Sequence, residues 1–294
     1  MGEQLIPEMK ANGMTFRSRA AGLDNVSGEP VILLHGFPET SIMWTNLVAQ
    51  LSAEGYRCFA PDQRGYSPGA RPDGIEAYTY DKLASDVVAL ADAQGFQRFH
   101  LIGHDWGSVI GWAVIHLYPD RIQSWTAMSV PHVDAFRSAI ADDPDQQQRS
   151  QYIGLFMLPG EAETMLTGDD FAGLRAVYSS IPDDQVEEYL LVFSQPGALT
   201  AALNWYRANS RLLDPSGRAV AFGPVSHPTL LLWGNQDIAV GRAAVERTAP
   251  YMRGPYRLIE LDAGHWLAQE EPERVHHEIR EHLGANRMPG HLIP

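Results

Sequence analysis

Short apolar segments alternate with helical patterns along most of the chain, and this alternation restricts the fold more than any other feature. The apolar segments predict strands at 31–34, 57–61, 99–103, 124–130, 229–233 and 256–261. Amphipathic patterns between them predict helices at 44–53, 80–94, 108–118, 242–249 and 273–283. Ahead of them, Asn12-Gly13 separates two strand-like runs and predicts a β-hairpin. We therefore predict an α/β fold with a mostly parallel central sheet and helices on both faces.

The alternation is interrupted once, between about residues 134 and 222. That stretch has helical patterns and several Pro and Gly breaks but no convincing strand. It is too long for a loop, so we interpret it as a helical insertion that caps the carboxyl end of the sheet. The expected organisation is a core built from residues 1–133 and 223–294, with a helical cap at 134–222. The final segment, GANRMPGHLIP, is predicted to be a loose tail.

Composition narrows the classes of partner. The formal net charge of −14 argues against binding to nucleic acid or to an anionic membrane. The amino-terminal residues lack the basic and apolar regions of a signal peptide, and no apolar stretch approaches the length of a membrane span. Cys58 is the one cysteine, and its apolar surroundings predict a buried thiol. We expect a cytoplasmic protein.

The segment LIGHDWGSVI, residues 101–110, predicts a strand, a sharp turn between two glycines, and a helix. This is the setting of a nucleophile elbow, in which the pattern G-x-S-x-G exposes a serine at the carboxyl end of a strand. Here Asp105 stands where the serine is expected. The sequence therefore predicts a carboxylate nucleophile.

A carboxylate at this position favours attack on a saturated carbon. An aspartate with an ordinary pKa of about 3.9 is already an anion at neutral pH and needs no base to activate it. Attack on an acyl group would give an anhydride, whereas displacement at an alkyl carbon gives an ordinary ester on the enzyme. Water must then attack that ester with the help of a base and an oxyanion hole. The substrate is therefore expected to be an epoxide or an alkyl halide.

Two further residues complete a candidate triad. In folds that carry a nucleophile elbow, the catalytic residues follow along the chain in the order nucleophile, acid, histidine. His265 follows the last predicted strand in ELDAGHWLAQEEP, and Asp237 follows the preceding strand in LLLWGNQDIAV. Asp134, after the strand before that, is the alternative acid. We predict that Asp105 is the nucleophile, that His265 is the base and that Asp237 orients it.

Several motifs resemble the epoxide hydrolase branch of the α/β-hydrolase superfamily. They are HGFPE (35–39), GHDWG (103–107), LNWYR (203–207), WGNQD (233–237) and GHW (264–266). The resemblance extends from about residue 31 to residue 283. It implies two cap tyrosines that hydrogen-bond the epoxide oxygen, here Tyr206 in LNWYR and Tyr152 in QYIGLFMLPG. The partners it implies are a small-molecule epoxide and water.

The resemblance also implies how the rest of the site is built. Backbone N–H groups of Phe37, after the His-Gly turn, and of Trp106, after the nucleophile, are expected to form the oxyanion hole. The aromatic side chains expected to contact substrate are Phe37, Trp106, Phe156, Trp205 and Trp266.

Other functions remain open at the level of sequence. A haloalkane dehalogenase uses the same nucleophile, and Trp106 is compatible with halide binding, but Phe37 occupies the place of the second side-chain donor. A fluoroacetate dehalogenase would have arginine where Trp106 stands. A binding protein without activity is the third alternative.

No cofactor or metal is expected. HHEIREH places His277 and His282 five residues apart, about 140° around a helix, and we interpret both as part of a solvated face. No Gly-rich phosphate loop is present.

Overall fold

Strands of the computed structural model, which describes residues 4–178, 180–214 and 220–288, pair into one sheet. The strands are β1 (Gln4–Ala11), β2 (Met14–Ala21), β3 (Pro30–Leu34), β4 (Arg57–Pro61), β5 (Phe99–His104), β6 (Ile122–Met128), β7 (Thr229–Gly234) and β8 (Tyr256–Leu261). Their spatial order is β1-β2-β4-β3-β5-β6-β7-β8. The pairs β1–β2 and β2–β4 are antiparallel, and all other pairs are parallel. The predicted α/β fold with a mostly parallel sheet is confirmed.

Helices connect most of the parallel strands. They are α1 (Thr45–Ala53), α2 (Tyr80–Ala93), α3 (Trp106–Leu117), α4 (Val133–Asp142), α5 (Pro144–Arg149), α6 (Gln151–Phe156), α7 (Glu161–Val177), α8 (Asp183–Phe193), α9 (Ala198–Ala208), α10 (Arg242–Glu246), α11 (Leu267–Glu270) and α12 (Pro272–Ala285). Short 3-10 turns lie at Ser41–Trp44, Ile75–Tyr78, Pro119–Arg121, Ser210–Leu212 and Ala249–Tyr251. None of the helices in the described part of the chain is long and apolar enough to cross a membrane.

The predicted hairpin forms the antiparallel edge of the sheet. Ala11 pairs with Met14, and the two residues between them have positive φ angles of 49° and 74°. Asn and Gly adopt such angles at low cost, and the resulting turn matches the twist of the two strands. Local sequence therefore fixes this element.

The core lies between the sheet and its flanking helices. Every residue of β3, β5, β6 and β7 is buried, whereas most of β8 is partly or fully exposed because β8 is an edge strand. Gly111 in α3 lies directly against the Trp125 ring, where a Cβ atom would overlap the indole. The close approach of α3 to β6 therefore depends on glycine. Cys58 is buried, as predicted.

Helices α4 to α9 occupy the segment between β6 and β7, which we call the helical insertion (residues 134–222). Its described residues contain no strand. Helix α7 is broken at Gly168, after which Asp169, Asp170 and Phe171 have positive φ angles. The Trp205 indole donates to the Arg64 carbonyl oxygen at 2.9 Å, after β4.

Other bonds tie the helical insertion to the same edge of the sheet. The Tyr178 hydroxyl donates to the Pro38 carbonyl oxygen after β3, and the Gln146 amide donates to the Ala239 carbonyl oxygen after β7. The helical insertion thus lies over the carboxyl ends of the parallel strands.

Two expectations from the sequence differ from the structure. The strand predicted at 124–130 ends at Met128, because Ser129 turns the chain with a φ of 65°. His282 is buried rather than solvated, although His277 is exposed. His282 shares one face of α12 with Val275 and Ile279, and that face packs against the protein; burial lowers the pKa of His282 to about 4. Of the predicted loose tail, α12 includes the first two residues, and 289–294 lie outside the described residues.

Candidate active site

Asp105 occupies the turn between β5 and α3. Its φ and ψ angles are 52° and −119°, a conformation that non-glycine residues rarely adopt. A Cβ atom at Gly103 would overlap the Gly107 carbonyl group, and a Cβ atom at Gly107 would overlap the Leu34 carbonyl oxygen. Both flanking glycines are therefore required for the strand and helix to pack this closely. The turn holds the Asp105 carboxylate at the carboxyl edge of the sheet.

Two backbone N–H groups point at the Asp105 carboxylate. The Phe37 N–H donates to Oδ1 at 2.8 Å, and the Trp106 N–H also binds the carboxylate. The loop that carries Phe37 contains a cis peptide bond to Pro38. The His35 side chain braces that loop by accepting the Gln63 N–H at 3.0 Å on Nε2. These donors lie where an oxyanion on the Asp105 carboxyl group would form.

His265 lies between two carboxylates. Its Nε2 atom is 3.7 Å from Asp105 Oδ2, and its Nδ1 atom is 3.0 Å from Asp237 Oδ1. Asp237 is buried and accepts the N–H groups of Ala239 and Val240 on Oδ1. The three residues predicted as a triad from the sequence are brought together by the ends of three different strands.

The pKa values in this cluster are coupled through charge. Burial by itself would lower the pKa of His265, but the nearby carboxylates, Asp237 foremost, raise it to about 9. Burial raises the pKa of Asp105, against the effect of His265 and of the two N–H donors. Burial would also raise the pKa of Asp237, but the His265 charge and the hydrogen bonds to its carboxylate lower it. A protonated His265 is thus stabilised between two carboxylates.

Asp134, the alternative acid, is directed elsewhere. Its Oδ2 accepts the N–H groups of Phe222 and Gly223, and its Oδ1 accepts from Arg137. It ties α4 to the end of the helical insertion, and the carboxylate that contacts His265 Nδ1 is that of Asp237.

Tyr152 on α6 and Tyr206 on α9 both line the space in front of Asp105. Their ring centroids are 6.3 Å apart, and a side-chain hydrogen bond links them. Burial, together with the Asp105 charge, raises the pKa of both phenols above the ordinary value. Both hydroxyls are therefore protonated at neutral pH and available as donors.

Two chambers meet at Asp105. The larger has a volume of about 240 Å³ and is lined by Phe37, Phe156 and Trp266 among other residues. The smaller has a volume of about 20 Å³ and is lined by Trp106, among others. Asp105, Tyr152, Tyr206 and Ala239 line both chambers. Asp105 and the two phenols therefore lie at the junction.

Comparison with known proteins agrees with this geometry. Residues 29–152 match the family described as the alpha/beta hydrolase fold. The chain is 34% identical over 288 residues to Epoxide hydrolase 4 of Mus musculus, and the alignment covers 94% of this chain and 78% of that protein. It is 33% identical to Epoxide hydrolase A of Mycobacterium tuberculosis, over 96% of this chain and 98% of that protein. The crystal structure of Epoxide Hydrolase A from Mycobacterium thermoresistibile matches with a TM-score of 0.82 and 30% identity, over 98% of this chain and 99% of that one.

This chain belongs to the epoxide hydrolase family of the α/β-hydrolase superfamily.

One aromatic residue lies away from the position expected in this member of the epoxide hydrolase family. Trp205 lines neither chamber at Asp105 and is buried behind Trp106, with ring centroids 5.9 Å apart. Successive residues of a helix point about 100° apart, so Tyr206 faces Asp105 while Trp205 faces the loop after β4. The structure does not support the expected substrate contact of Trp205.

The structure adds residues that the sequence did not single out. The Ser129 hydroxyl donates to Asp237 Oδ2 at 2.6 Å and lies 3.2 Å from His265 Nδ1. Gln146, which is buried on α5, binds the backbone of the loop that carries Asp237 through the Ala239 carbonyl oxygen and the Gly241 N–H. A polar residue directly after an apolar strand was the available signal for Ser129. Gln146 had none, because its contact depends on how the helical insertion folds back.

Proposed function

We propose that this protein hydrolyses an epoxide to a vicinal diol through a covalent ester on Asp105. The observation that carries the proposal is a carboxylate, rather than a hydroxyl, at the elbow, in reach of His265 and facing Tyr152 and Tyr206. A carboxylate alkylates readily at a strained ring carbon, and two phenols suit an oxygen that becomes an alkoxide.

In the first step, an oxygen of Asp105 attacks one ring carbon while the bond from that carbon to the epoxide oxygen breaks. Tyr152 and Tyr206 hold that oxygen, and one phenol gives it a proton. The products are an alkyl ester on Asp105, a new hydroxyl group and a phenolate. Halide ions leave without a proton, so donation by phenols favours an epoxide over a haloalkane as substrate.

In the second step, His265 takes a proton from water, and the water oxygen attacks the Asp105 carboxyl carbon. The negative charge that forms on the carbonyl oxygen is stabilised by the N–H groups of Phe37 and Trp106, which already bind this carboxyl group. Collapse of the intermediate breaks the bond to the alkyl oxygen, which takes the remaining proton of the attacking water, so that the diol and the Asp105 carboxylate are released. The proton on His265 then returns to the phenolate. Asp237 orients His265 throughout.

The helical insertion acts as the cap in this proposal, and the remaining residues form the core. It supplies both phenols from α6 and α9, while the core supplies the triad. Its helices also cover part of the chambers, which limits the access of bulk water to Asp105. The partners are one epoxide and one water molecule, and the proposed steps use side chains and backbone N–H groups of this chain.

The ester is tested with His265→Gln and styrene oxide. This variant retains the nucleophile but lacks the base, so the ester accumulates. Mass spectrometry of the intact protein should show the added mass of one substrate molecule, and digestion should place it on the peptide that contains Asp105. His277→Gln, which changes an exposed histidine, is the matched control and should show no adduct.

Two results would contradict the proposal. One is the absence of any adduct in His265→Gln with an epoxide that the wild-type protein consumes. The other is release of bromide from a bromoalkane by the wild-type protein with no diol formed from any epoxide, which would indicate a dehalogenase.

A further inference from the structure

The two chambers at Asp105 differ in size by more than tenfold, with volumes of about 240 Å³ and about 20 Å³. A cavity of about 150 Å³ is enough to hold benzene, and about 10–15 Å³ is needed for one water molecule. The larger chamber therefore has room for an aromatic ring with a short linker. The smaller one has room for a group of the size of water or methyl.

The walls of the larger chamber are almost entirely apolar. Its lining includes Leu155, Phe156, Leu166, Val177 and Trp266. Among the described residues of the lining, Asp105 and His265 carry the charged groups, and Tyr152 and Tyr206 add two phenols. Met165 and Ile238, which also line it, are 47% and 63% exposed, so this chamber opens to solvent there. An apolar substituent would bury its surface in it without leaving a charge unpaired.

Buried side chains form part of the wall of the smaller chamber. Val130 and Phe136 are 5% exposed, Val240 is 1% exposed, and all three line it. The backbone around Val130 is held by the Ser108 hydroxyl, which donates to its carbonyl oxygen at 2.6 Å. Enlarging this chamber on the side of Val130, Phe136 and Val240 would need rearrangement of packed core residues, which costs free energy.

Substituents on the two carbons of an epoxide ring point to opposite sides when the oxygen is held from above and the carboxylate attacks from below. The phenols and Asp105 lie at the junction of the chambers, so one substituent must enter each chamber. We infer that this protein is selective for epoxides with an apolar aryl or alkyl group on one ring carbon and only hydrogen or methyl on the other. This inference rests on the proposed epoxide hydrolysis and adds the class of substrate.

The inference is tested on the wild-type protein with three epoxides that share a phenyl group. Styrene oxide carries hydrogen on the second carbon, trans-β-methylstyrene oxide carries methyl, and trans-stilbene oxide carries a second phenyl ring. We expect kcat/KM for the first two to agree within about tenfold. We expect kcat/KM for stilbene oxide to be lower by about a hundredfold or more, because a phenyl ring overfills the smaller chamber.

Phe136→Ala removes a phenyl ring from the wall of the smaller chamber. In this variant the ratio of kcat/KM for stilbene oxide to that for styrene oxide should rise at least about tenfold. Use of a ratio cancels the different intrinsic reactivity of the two epoxides. Phe222→Ala is the matched control: it deletes the same ring from the helical insertion, but Phe222 stacks on His116 and lines neither chamber. Its ratio should stay within about twofold of the wild-type value.

A second variant tests the same chamber in case Phe136→Ala does not fold. Leu213→Ala opens the same chamber at a half-buried position and should raise the ratio in the same direction. Equal turnover of stilbene oxide and styrene oxide by the wild-type protein would overturn the inference while leaving epoxide hydrolysis intact. An unchanged ratio in folded Phe136→Ala and Leu213→Ala would also overturn it. No turnover of any epoxide would overturn the proposed function and the inference together.

Discussion

Substitution Asp105→Asn should lower the pKa of His265 by several units without touching His265 itself. The pKa of His265 is raised to about 9 by Asp237 and by Asp105, whose Oδ2 atom lies 3.7 Å from Nε2. An asparagine keeps the shape of the side chain and removes its charge. It therefore imitates the electrostatic state of the ester, in which the Asp105 carboxylate is neutral.

The magnitude follows from the distance between the charges. At 3.7 Å and an effective dielectric constant of about 20, the attraction between the two charges is about 4 kcal/mol. Since one pKa unit corresponds to about 1.4 kcal/mol, loss of the Asp105 charge should lower the pKa of His265 by up to about 3. The sign is clear, because removing a neighbouring anion disfavours the protonated imidazole. His265 would then hold its proton less tightly once Asp105 is alkylated, which favours the neutral imidazole that the second step needs.

Nuclear magnetic resonance of histidine-labelled protein measures this pKa directly. The chain has 11 histidines, and the His265 signal is assigned by its absence from the spectrum of His265→Gln. Asp134→Asn is the control, because Asp134 is also buried but bonds to Phe222 and Gly223 instead of His265. Titration of His265 at the same pH in the wild-type protein and in Asp105→Asn, within about half a pH unit, would refute the electrostatic argument.

Three further substitutions test other contacts. Asp237→Asn should slow ester hydrolysis about ten-thousandfold, as in serine triads, and leave alkylation largely intact. The Asp134→Asn variant should hydrolyse the ester at the normal rate. The reverse pattern in single-turnover kinetics would mean that Asp134, and not Asp237, is the acid. Tyr152→Phe or Tyr206→Phe should slow alkylation markedly, and the double variant should nearly abolish it, with non-additive effects. Alkylation at the wild-type rate in the double variant would show that neither phenol takes part in the mechanism. Ser129→Ala removes the 2.6 Å hydrogen bond to Asp237 and should slow ester hydrolysis about 10- to 100-fold; an unchanged rate and pH profile would show that the hydroxyl does not position the acid.

The strands and the elbow were predictable because their signals are local. Continuous apolar runs marked strands such as β3 and β7, and Asn12-Gly13 marked the hairpin turn. The pattern around Asp105 was equally local, since two glycines are needed where β5 turns sharply into α3. Periodicity and turn preferences depend on neighbours in sequence, so they can be recognised without knowledge of the fold.

The clustering of Asp105, Asp237 and His265 was predictable for a different reason. Parallel strands place their carboxyl ends at one edge of a sheet, so residues just after β5, β7 and β8 must lie near one another. This rule alone does not separate Asp237 from Asp134, because Asp134 follows β6 at the same edge. Asp237 was preferred because it follows the strand just before that of His265, and the 3.0 Å contact between Asp237 Oδ1 and His265 Nδ1 agrees with that choice.

Side-chain orientation within helices was decided by packing alone. Trp205 and Tyr206 are adjacent on α9, and no local signal states which of them faces Asp105. His282 was expected on a solvated face but belongs to the buried face of α12. An error of about 100° in the rotation of a helix exchanges such neighbours, and only contacts with the rest of the protein fix that rotation.

By itself, then, the sequence determined the alternation of strands and helices, the elbow with its carboxylate and the edge of the sheet at which the triad meets. Only the tertiary structure determined that the Ser129 hydroxyl bonds to Asp237 and that Gln146 bonds to the loop that carries Asp237. It also determined the unequal volumes of the two chambers that meet at Asp105. The physical reason is the distance along the chain over which each kind of interaction acts. Hydrogen-bonding and turn preferences act between neighbours along the chain, whereas the volume of a cavity is what remains after side chains from distant segments have packed together.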